Sequence, residues 1–288
     1  MKRILLATAG VAVVAVFAAT IGFAQPTATT GVVRAEAAAP LPKLPANIKE
    51  RQRFIVGVKC DAPPFGYINV QGKNAGFDVE IAKWFARFAF GRESRVSYIC
   101  APTPAREPLL TTDRDTRIDF SRAYYKATGR LLVKNDGPVQ SINDIRNRKV
   151  ATTSGSIYDR WMKKCWTSTE QIVTDSFTNA LLAFNQGRAD ALMWDDTVLV
   201  GIAAADRNVK LTNDLFLSLP YGIGIRQGDT AMKRWVDSRL NLMTQKDAFF
   251  PIMKASVPAR NLAAFAKNIL RPKQVFYYTR TDLTTKCS

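Results

Sequence analysis

The chain has 288 residues, 47% of them hydrophobic and 23% charged, and its 41 lysines and arginines against 24 acids give a net charge of +17. This composition is typical of a globular protein and excludes a disordered chain. The sequence has no histidine, which excludes Ser-His-Asp and Cys-His catalysis and histidine-ligated zinc. Because the basic residues are scattered and form no nucleic-acid motif, we expect no nucleic-acid partner, no metal and no cofactor.

The first 24 residues have the features of a secretory signal peptide. Lys2 and Arg3 precede an apolar run from Ile4 to Phe23, and small residues follow that could form a cleavage site. An uncleaved membrane anchor is the alternative, because about 20 apolar residues can span a bilayer. We therefore expect a periplasmic protein in which residues 25–50, rich in Ala, Pro and Thr, form a flexible spacer.

Four cysteines in an exported chain indicate disulfide bonds. Cys60 follows one predicted strand and Cys100 ends the next, so we expect a bond between them, which leaves Cys165 to pair with Cys287. Four cysteines allow three pairings, and four free thiols are the remaining alternative.

The first half of the chain alternates between strand and helix patterns. Residues 53–59 form a short apolar run that predicts a buried strand, and a turn with two prolines follows. Asp78 is the predicted N-cap of an amphipathic helix that ends at Gly91. Residues 95–100 alternate between apolar and polar, which predicts the next strand.

The second half repeats this order. A strand at 149–152 leads through a small polar turn at 153–156 into a helix, and another strand is predicted at 189–194. The chain then returns through a strand at 220–225 and a helix over about 230–245. Alternating strands and helices favour parallel α/β sheets, and two such blocks predict two lobes.

Several polar residues could bind a ligand. The turn at 153–156 exposes backbone amides at a helix start, which suits a carboxylate, although an ordinary N-cap has the same pattern. Arg114 has the planar guanidinium that binds carboxylates, and a surface charge is the alternative. Asp195 and Asp196 follow a buried strand, where one could bind an ammonium and the other cap a helix. Phe65 could line a cleft or belong to the core.

In their order along the chain, from about Phe54 to Met253, these segments resemble the polar amino-acid-binding proteins of ABC importers, the extracellular solute-binding protein family 3. Each motif is weak alone, but the order of all of them is specific. The motifs that carry the resemblance are Phe54–Val58 with Asp61–Tyr67, Gly76–Ala82, Asp119–Ser121 with Tyr124 and Tyr125, Ser154–Ser156, Trp194–Asp196 and Pro220–Gly224.

The resemblance implies an α/β fold of the periplasmic-binding-protein type II, with two lobes joined by a two-stranded hinge. Lobe one would comprise residues 51–125 and 218–257, lobe two residues 126–217, and a C-terminal extension residues 258–288. The implied function is capture of a glutamate-, glutamine- or aspartate-like amino acid and its delivery to the permease subunits of an ABC importer. Such a protein is a monomer and not an enzyme.

The resemblance also implies roles for single residues. Arg114 matches the arginine that binds the α-carboxylate, and Asp195 matches the acid that binds the α-ammonium. Thr103 matches a lobe-one position that faces the ligand side chain, while Ala62 replaces a frequent aromatic residue. The donors expected from lobe two are Thr153, Ser156 and the backbone amide of Ile157.

One departure from the family lies between Leu110 and Thr111. By comparison with the family pattern, about 14 residues are missing there, including an inner strand whose loss would leave backbone groups unpaired. We expect binding to be weakened or lost, unless residues 117–120 replace that strand.

The alternative function is a cyclohexadienyl-dehydratase-like enzyme with Asp195 or Glu107 as its acid.

Overall fold

The structure is a computed structural model that describes residues 40–101, 118–274 and 287. None of the helices in these ranges is long and apolar enough to cross a bilayer. The helices are α1 (Ala46–Arg51), α2 (Phe77–Phe90), α3 (Ile157–Cys165), α4 (Phe177–Asn185), α5 (Asp196–Ala205), α6 (Thr230–Gln245), α7 (Phe249–Ser256) and α8 (Leu262–Ala266).

Thirteen strands lie in the described residues. They are β1 (Phe54–Val58), β2 (Asp61–Ala62), β3 (Gly66–Ile68), β4 (Asn74–Ala75), β5 (Val96–Cys100), β6 (Ile118–Phe120), β7 (Tyr125–Lys134), β8 (Lys149–Thr153), β9 (Glu170–Thr174), β10 (Ala191–Asp195), β11 (Val209–Leu211), β12 (Phe216–Tyr221) and β13 (Gly224–Arg226).

A six-stranded mixed sheet is the core of lobe two. Its order is β11-β7-β10-β8-β9, and β12 also pairs with β7. Strands β8, β9 and β10 run parallel, whereas β7 runs antiparallel to β10. The side chains of residues 131–133 and 191–194 are all buried. Both faces of this sheet are covered, and strands in such a sheet are continuous apolar runs.

Lobe one contains three short sheets among the described residues, one of them formed by β2, β3 and β4. Strand β1 pairs in parallel with β5, and β13 pairs antiparallel with β6. Among the described residues, no strand lies between β1 and β13, so each is the edge of a two-stranded sheet. Helices α2 and α6 pack beneath them, with Trp235 lying 5.5 Å from Phe54 and 5.7 Å from Phe85 between ring centroids.

Two long antiparallel strands, β7 and β12, connect the lobes. Strand β7 begins at Tyr125 in the hydrophobic cluster of lobe one and reaches the cluster of lobe two at Leu131. Strand β12 returns beside it, with Tyr221 opposite Tyr125. These two strands therefore form the hinge.

Residues 102–117 lie outside the described part of the chain, and with them the predicted deletion after Leu110. Residues 118–120 are the described part of the expected replacement strand 117–120, and they pair with β13 and not with β1. The signal peptide and most of the spacer also lie outside the described residues. The lobe boundaries stay predictions.

Two disulfide bonds stabilise the fold. Cys60 is bonded to Cys100, with 5.5 Å between the Cα atoms, which is the pairing expected from adjacent strands. Cys165, the last residue of α3, is bonded to Cys287 with a Cα separation of 5.0 Å. Earlier along the chain, Ile269 forms a bridge with Tyr125, the first residue of β7.

The start of α2 differs from the prediction. Gly76 and not Asp78 is the N-cap, with a φ of 115° that favours glycine. A Cβ at this position would clash with the carbonyl oxygen of Phe65. Asp78 lies in the first turn and accepts a hydrogen bond from the Tyr124 hydroxyl at 2.8 Å. The helix ends at Gly91, as predicted.

Candidate functional site

The candidate site lies at the carboxyl end of β10, where this strand continues directly into α5. Asp195 is the last residue of β10, and Asp196 is the first residue of α5. The neighbouring parallel strand β8 ends at the same edge of the sheet, at Thr153. Ligands of α/β sheets bind outside the carboxyl ends of the strands, so this edge is the expected binding position in lobe two.

Both oxygens of the Asp195 carboxylate accept hydrogen bonds from tyrosine hydroxyls. Tyr158, in the first turn of α3, donates to Oδ1 at 2.5 Å. Tyr221, at the end of β12, donates to Oδ2, and its hydroxyl lies 3.0 Å from the Thr197 Oγ1. Because a carboxylate offers about four lone-pair sites, two tyrosine bonds orient Asp195 and still leave it able to accept an ammonium group.

Asp196 has a different environment from its neighbour. Its side chain is buried, and Oδ1 accepts the backbone amide of Thr128 on β7 at 3.1 Å. Burial raises the pKa of the Asp196 carboxyl, and the adjacent charge of Asp195 raises it further, whereas the bond from Thr128 lowers it. The N-cap of α5 is Asp195, not Asp196. Asp196 therefore joins α5 to the hinge strand.

The turn between β8 and α3 is a well-formed helix start. Ser156 is the N-cap of α3, and its Oγ accepts the amide of Asp159 at 3.1 Å. The Asp159 carboxylate in turn accepts the amide of Gly155 at 3.1 Å. The hydroxyl of Ser156 thus caps α3. The first amides of a helix have no intrahelical acceptor, so the amide of Ile157 is the donor that this turn offers to an anion.

Thr153 presents a buried polar atom. Its side chain is inaccessible to solvent, and its Oγ1 has no hydrogen-bond partner among the described residues. An unsatisfied buried hydroxyl costs about 1–3 kcal/mol. Since Thr153 ends β8 beside β10, a ligand at this edge could satisfy that hydroxyl.

The two lobes touch beside this edge. Lys59, in the turn after β1, is 3% exposed, and its Nζ lies 3.0 Å from Asp61 and 5.5 Å from the centre of the Trp194 ring. Ala62, in the same turn, packs in the hydrophobic cluster of lobe two. A lobe-one lysine therefore lies against the strand that ends in Asp195.

Phe65 lies in the core of lobe one. It is 3% exposed, and its ring packs edge-on against Tyr125 at 4.9 Å and Tyr221 at 5.3 Å. This position is beneath the hinge strands and supports Tyr221. Arg114 and Thr103 lie outside the described residues, so their predicted contacts with a ligand stay predictions.

Tyr158, Tyr221 and Lys59 surround the site although no sequence pattern singles them out as ligand-binding. Tyr158 stands next to the predicted donor Ile157, and Tyr221 belongs to a motif of the return strand, so proximity along the chain is their only signal. In the described part of the chain, no group of three or more Cys, Asp or Glu side chains could hold a metal ion.

Two relatives show which family the sequence belongs to. The ABC transporter glutamine-binding protein of Bacillus subtilis (strain 168) is 28% identical over 225 residues, which cover 73% of this chain and 82% of that protein. The glutamine-binding protein of Geobacillus stearothermophilus is 32% identical over 194 residues, covering 62% of this chain and 74% of that protein. No family model matches the chain.

Solved structures share the fold. A cysteine-binding protein from Campylobacter jejuni superposes with a TM-score of 0.70 at 24% identity and covers 74% of this chain and 92% of its own. Holo ArgBP from T. maritima superposes with a TM-score of 0.64 at 25% identity, with coverage of 74% and 100%.

Two α/β lobes joined by two hinge strands define a periplasmic-binding-protein fold of type II. The sequence identity to these two relatives and the fold together show the family. The chain belongs to the extracellular solute-binding proteins of family 3, the amino-acid-binding proteins of ABC transporters.

Proposed function

We propose that this protein captures a polar amino acid of the glutamate, glutamine or aspartate type between its lobes and delivers it to the permease subunits of an ABC importer. The observation that carries this function is the Asp195 carboxylate, fixed by Tyr158 and Tyr221 at the edge where the lobes meet. An ammonium is the group that such an oriented, doubly hydrogen-bonded carboxylate can bind most strongly.

The remaining ligand groups have acceptable partners in this arrangement. The α-carboxylate would lie against the start of α3, near the Ile157 amide, where the helix dipole favours negative charge. Arg114 would bind the same carboxylate from lobe one. Thr153 would contribute its buried hydroxyl, and Thr103 would face the ligand side chain.

We place the mature protein in the periplasm as a monomer, after removal of residues 1–24. Support comes from the charged and apolar pattern of that segment and from two disulfide bonds, which persist in oxidising compartments. Fractionation of cells, with a mass measurement of the mature chain, tests both the location and the cleavage site.

We further propose that the protein binds without chemical turnover. Its relatives are named as binding proteins, and the Asp195 carboxylate is already engaged by two hydroxyl donors. Incubation with prephenate or arogenate tests this directly. Formation of an aromatic product would establish the dehydratase alternative.

Isothermal titration of residues 25–288 with a panel of amino acids tests binding. We expect saturable binding of at least one polar amino acid and a matching rise in melting temperature, because a ligand of the folded state stabilises it. Asp195→Asn should weaken binding by about 10- to 150-fold, since a hydrogen bond to a charged group contributes about 1.5–3 kcal/mol.

Asp136→Asn is the matched control, because Asp136 is an exposed acid of lobe two and its loss removes the same charge. This variant should bind as the wild type does. If no amino acid binds to a correctly folded protein, the capture function is wrong, as the missing residues after Leu110 would predict.

A further inference from the structure

Basic residues lie together at the amino ends of strands β1 and β5 in lobe one. Arg53 immediately precedes β1, and Arg95 immediately precedes β5. The two strands are parallel, and the amide of Phe54 donates to the carbonyl oxygen of Arg95 at 2.9 Å. Two stretches that are distant in the sequence therefore bring their cations to one end of this sheet.

Three more cations belong to the same end. Lys49 and Arg51 are in the last turn of α1, which leads directly into β1. The Nε of Arg51 donates to the carbonyl oxygen of Arg53 at 3.0 Å, and the amide of Arg95 donates to the carbonyl oxygen of Arg92 at 3.3 Å. The basic patch is defined by these five residues, which are Lys49, Arg51, Arg53, Arg92 and Arg95.

The nearby acids do not neutralise the basic patch. Glu93 is paired with Arg87 of α2, so Glu50 is the acid that remains in these two stretches of the chain. In the part of the chain that the structure describes, none of the five patch residues forms an ion pair. The Nη1 of Arg53 donates instead to the neutral hydroxyl of Ser97 at 2.9 Å.

The basic patch is accessible from outside. Four of its five side chains are exposed, and Arg95 is half-buried. Like charges that are held close together repel one another, and no carboxylate within the described fold relieves this repulsion. An anionic partner outside the protein would be attracted by all five cations at once.

The position of the basic patch favours a membrane as that partner. The chain enters lobe one through α1, whose six residues span about 9 Å and end in the patch. The residues before α1 include the apolar run from Ile4 to Phe23, which is predicted to enter a bilayer during export or to stay there as an anchor. The patch thus lies at the end of lobe one that this segment connects to the membrane.

The basic patch and the candidate ligand site lie at opposite ends of β1. Arg53 precedes this five-residue strand, and Lys59, which lies against Trp194, follows it. At about 3.3 Å per residue, the strand separates the two ends by about 17 Å. A surface that contacts the patch therefore leaves the sheet edge at Asp195 uncovered.

We propose that the basic patch docks lobe one onto the anionic phospholipid surface of a membrane. Each lysine or arginine near an anionic leaflet strengthens binding by about fivefold. For a member of the binding proteins of ABC transporters, docking would confine the search for a permease to the plane of the membrane. Docking requires no amino-acid ligand, so it goes beyond the proposed capture function and can be tested without it.

Sedimentation with lipid vesicles tests the proposal on residues 25–288 with both disulfide bonds intact. We expect binding to vesicles of equal parts phosphatidylglycerol and phosphatidylcholine, and much weaker binding to vesicles of phosphatidylcholine alone. Binding to the anionic vesicles should weaken as salt is added, because salt screens exposed charges. Absence of binding to the anionic vesicles, or equal binding to both kinds, would overturn the proposal.

A double variant with Lys49→Gln and Arg92→Gln tests the contribution of the basic patch. Both side chains are exposed, so the core is unaffected. Loss of two cations should weaken binding to the anionic vesicles by about 25-fold. The matched control carries Arg188→Gln and Lys210→Gln at exposed positions of lobe two, and it has the same net charge.

The control variant should bind the anionic vesicles as the wild type does. An equal loss in both variants would assign the attraction to the net charge of the whole protein, and the patch would then have no special role. Retention on polyglutamate without binding to anionic vesicles would assign the patch to an acidic protein and would also overturn the membrane proposal.

Labelling of lysine amines, followed by mass spectrometry, identifies the face that docks. With anionic vesicles present, Lys49 should react more slowly, whereas Lys210 of lobe two should react at an unchanged rate. Equal protection of the two lysines, or protection of Lys210 alone, would show that another face contacts the membrane.

Discussion

The hydroxyl of Tyr221 donates to the carboxylate of Asp195, and this bond joins the hinge strand β12 to the end of β10. Tyr221 also packs on Phe65 of lobe one. The acid that we propose to bind the ammonium is thus held by a residue whose position depends on the hinge. We therefore expect ligand affinity and lobe orientation to be coupled through this tyrosine.

Tyr221→Phe should weaken amino-acid binding by about fivefold, because the loss of one hydrogen bond of about 1 kcal/mol frees Asp195 to rotate. Isothermal titration measures the change. Tyr98→Phe is the control, since the Tyr98 hydroxyl bonds to the carbonyl of Val79 within lobe one. Equal losses in both variants would show that the Asp195 bond has no special role.

Lys59→Met should lower the free energy of unfolding by about 3–5 kcal/mol, because Asp61 would lose its cation at a position that is only 18% exposed. The half-buried pair of Lys83 and Glu80, which is more accessible to solvent, provides the comparison. Lys83→Met should cost less than about 1 kcal/mol. Urea denaturation measures both, and similar losses would contradict the importance of the buried pair.

Asp196→Asn should reduce the pH dependence of stability. Burial raises the pKa of Asp196 in the folded state, so the folded protein binds more protons than the unfolded chain above the ordinary aspartate pKa of about 3.9. Wild-type stability is then lost as pH rises through the raised pKa. The asparagine oxygen can still accept the Thr128 amide, and the variant removes the titration.

The measurement is the free energy of unfolding of both proteins at a series of pH values from about 4 upward, because the loss lies above the ordinary aspartate pKa of about 3.9. The wild type should lose more stability than the variant over this interval. Asp136→Asn, at an exposed position, should behave as the wild type. A wild type that gains stability relative to Asp196→Asn would refute the direction of the pKa shift.

The two disulfide bonds should differ in their effect on thermal unfolding. In the chain-entropy model, the bond across 40 residues contributes about 4 kcal/mol and the bond across 122 residues about 5 kcal/mol. Replacing Cys165 and Cys287 by serine should thus lower the melting temperature at least as much as replacing Cys60 and Cys100. The reverse order would show that native-state contacts outweigh loop length.

Local patterns in the sequence were sufficient to predict most of the elements that carry the fold. The strand before Cys60, the helix that ends at Gly91 and the helix over residues 230–245 all form where their periodicity places them. The prediction of a single return strand over residues 220–225 was wrong, because these residues belong to two strands, β12 and β13. A break in pairing depends on neighbours far along the chain and has no local pattern.

The candidate site was less predictable. Asp195 lies at the end of a strand, which a sequence shows, but its bonds to Tyr158 and Tyr221 join residues 37 and 26 positions away. The sequence around Phe65 is equally compatible with a position in a cleft and with a position in the core. Only the packing against Tyr125 decides between these positions.

The bond between Cys165 and Cys287 links the C-terminal part of the chain to α3 of lobe two. Ile269 is anchored at Tyr125 in lobe one, while Cys287 is fixed to α3 in lobe two. This bond is a third covalent connection between the lobes, beside β7 and β12. We therefore expect a thiol reductant to remove this connection and to leave the lobes joined by the two hinge strands.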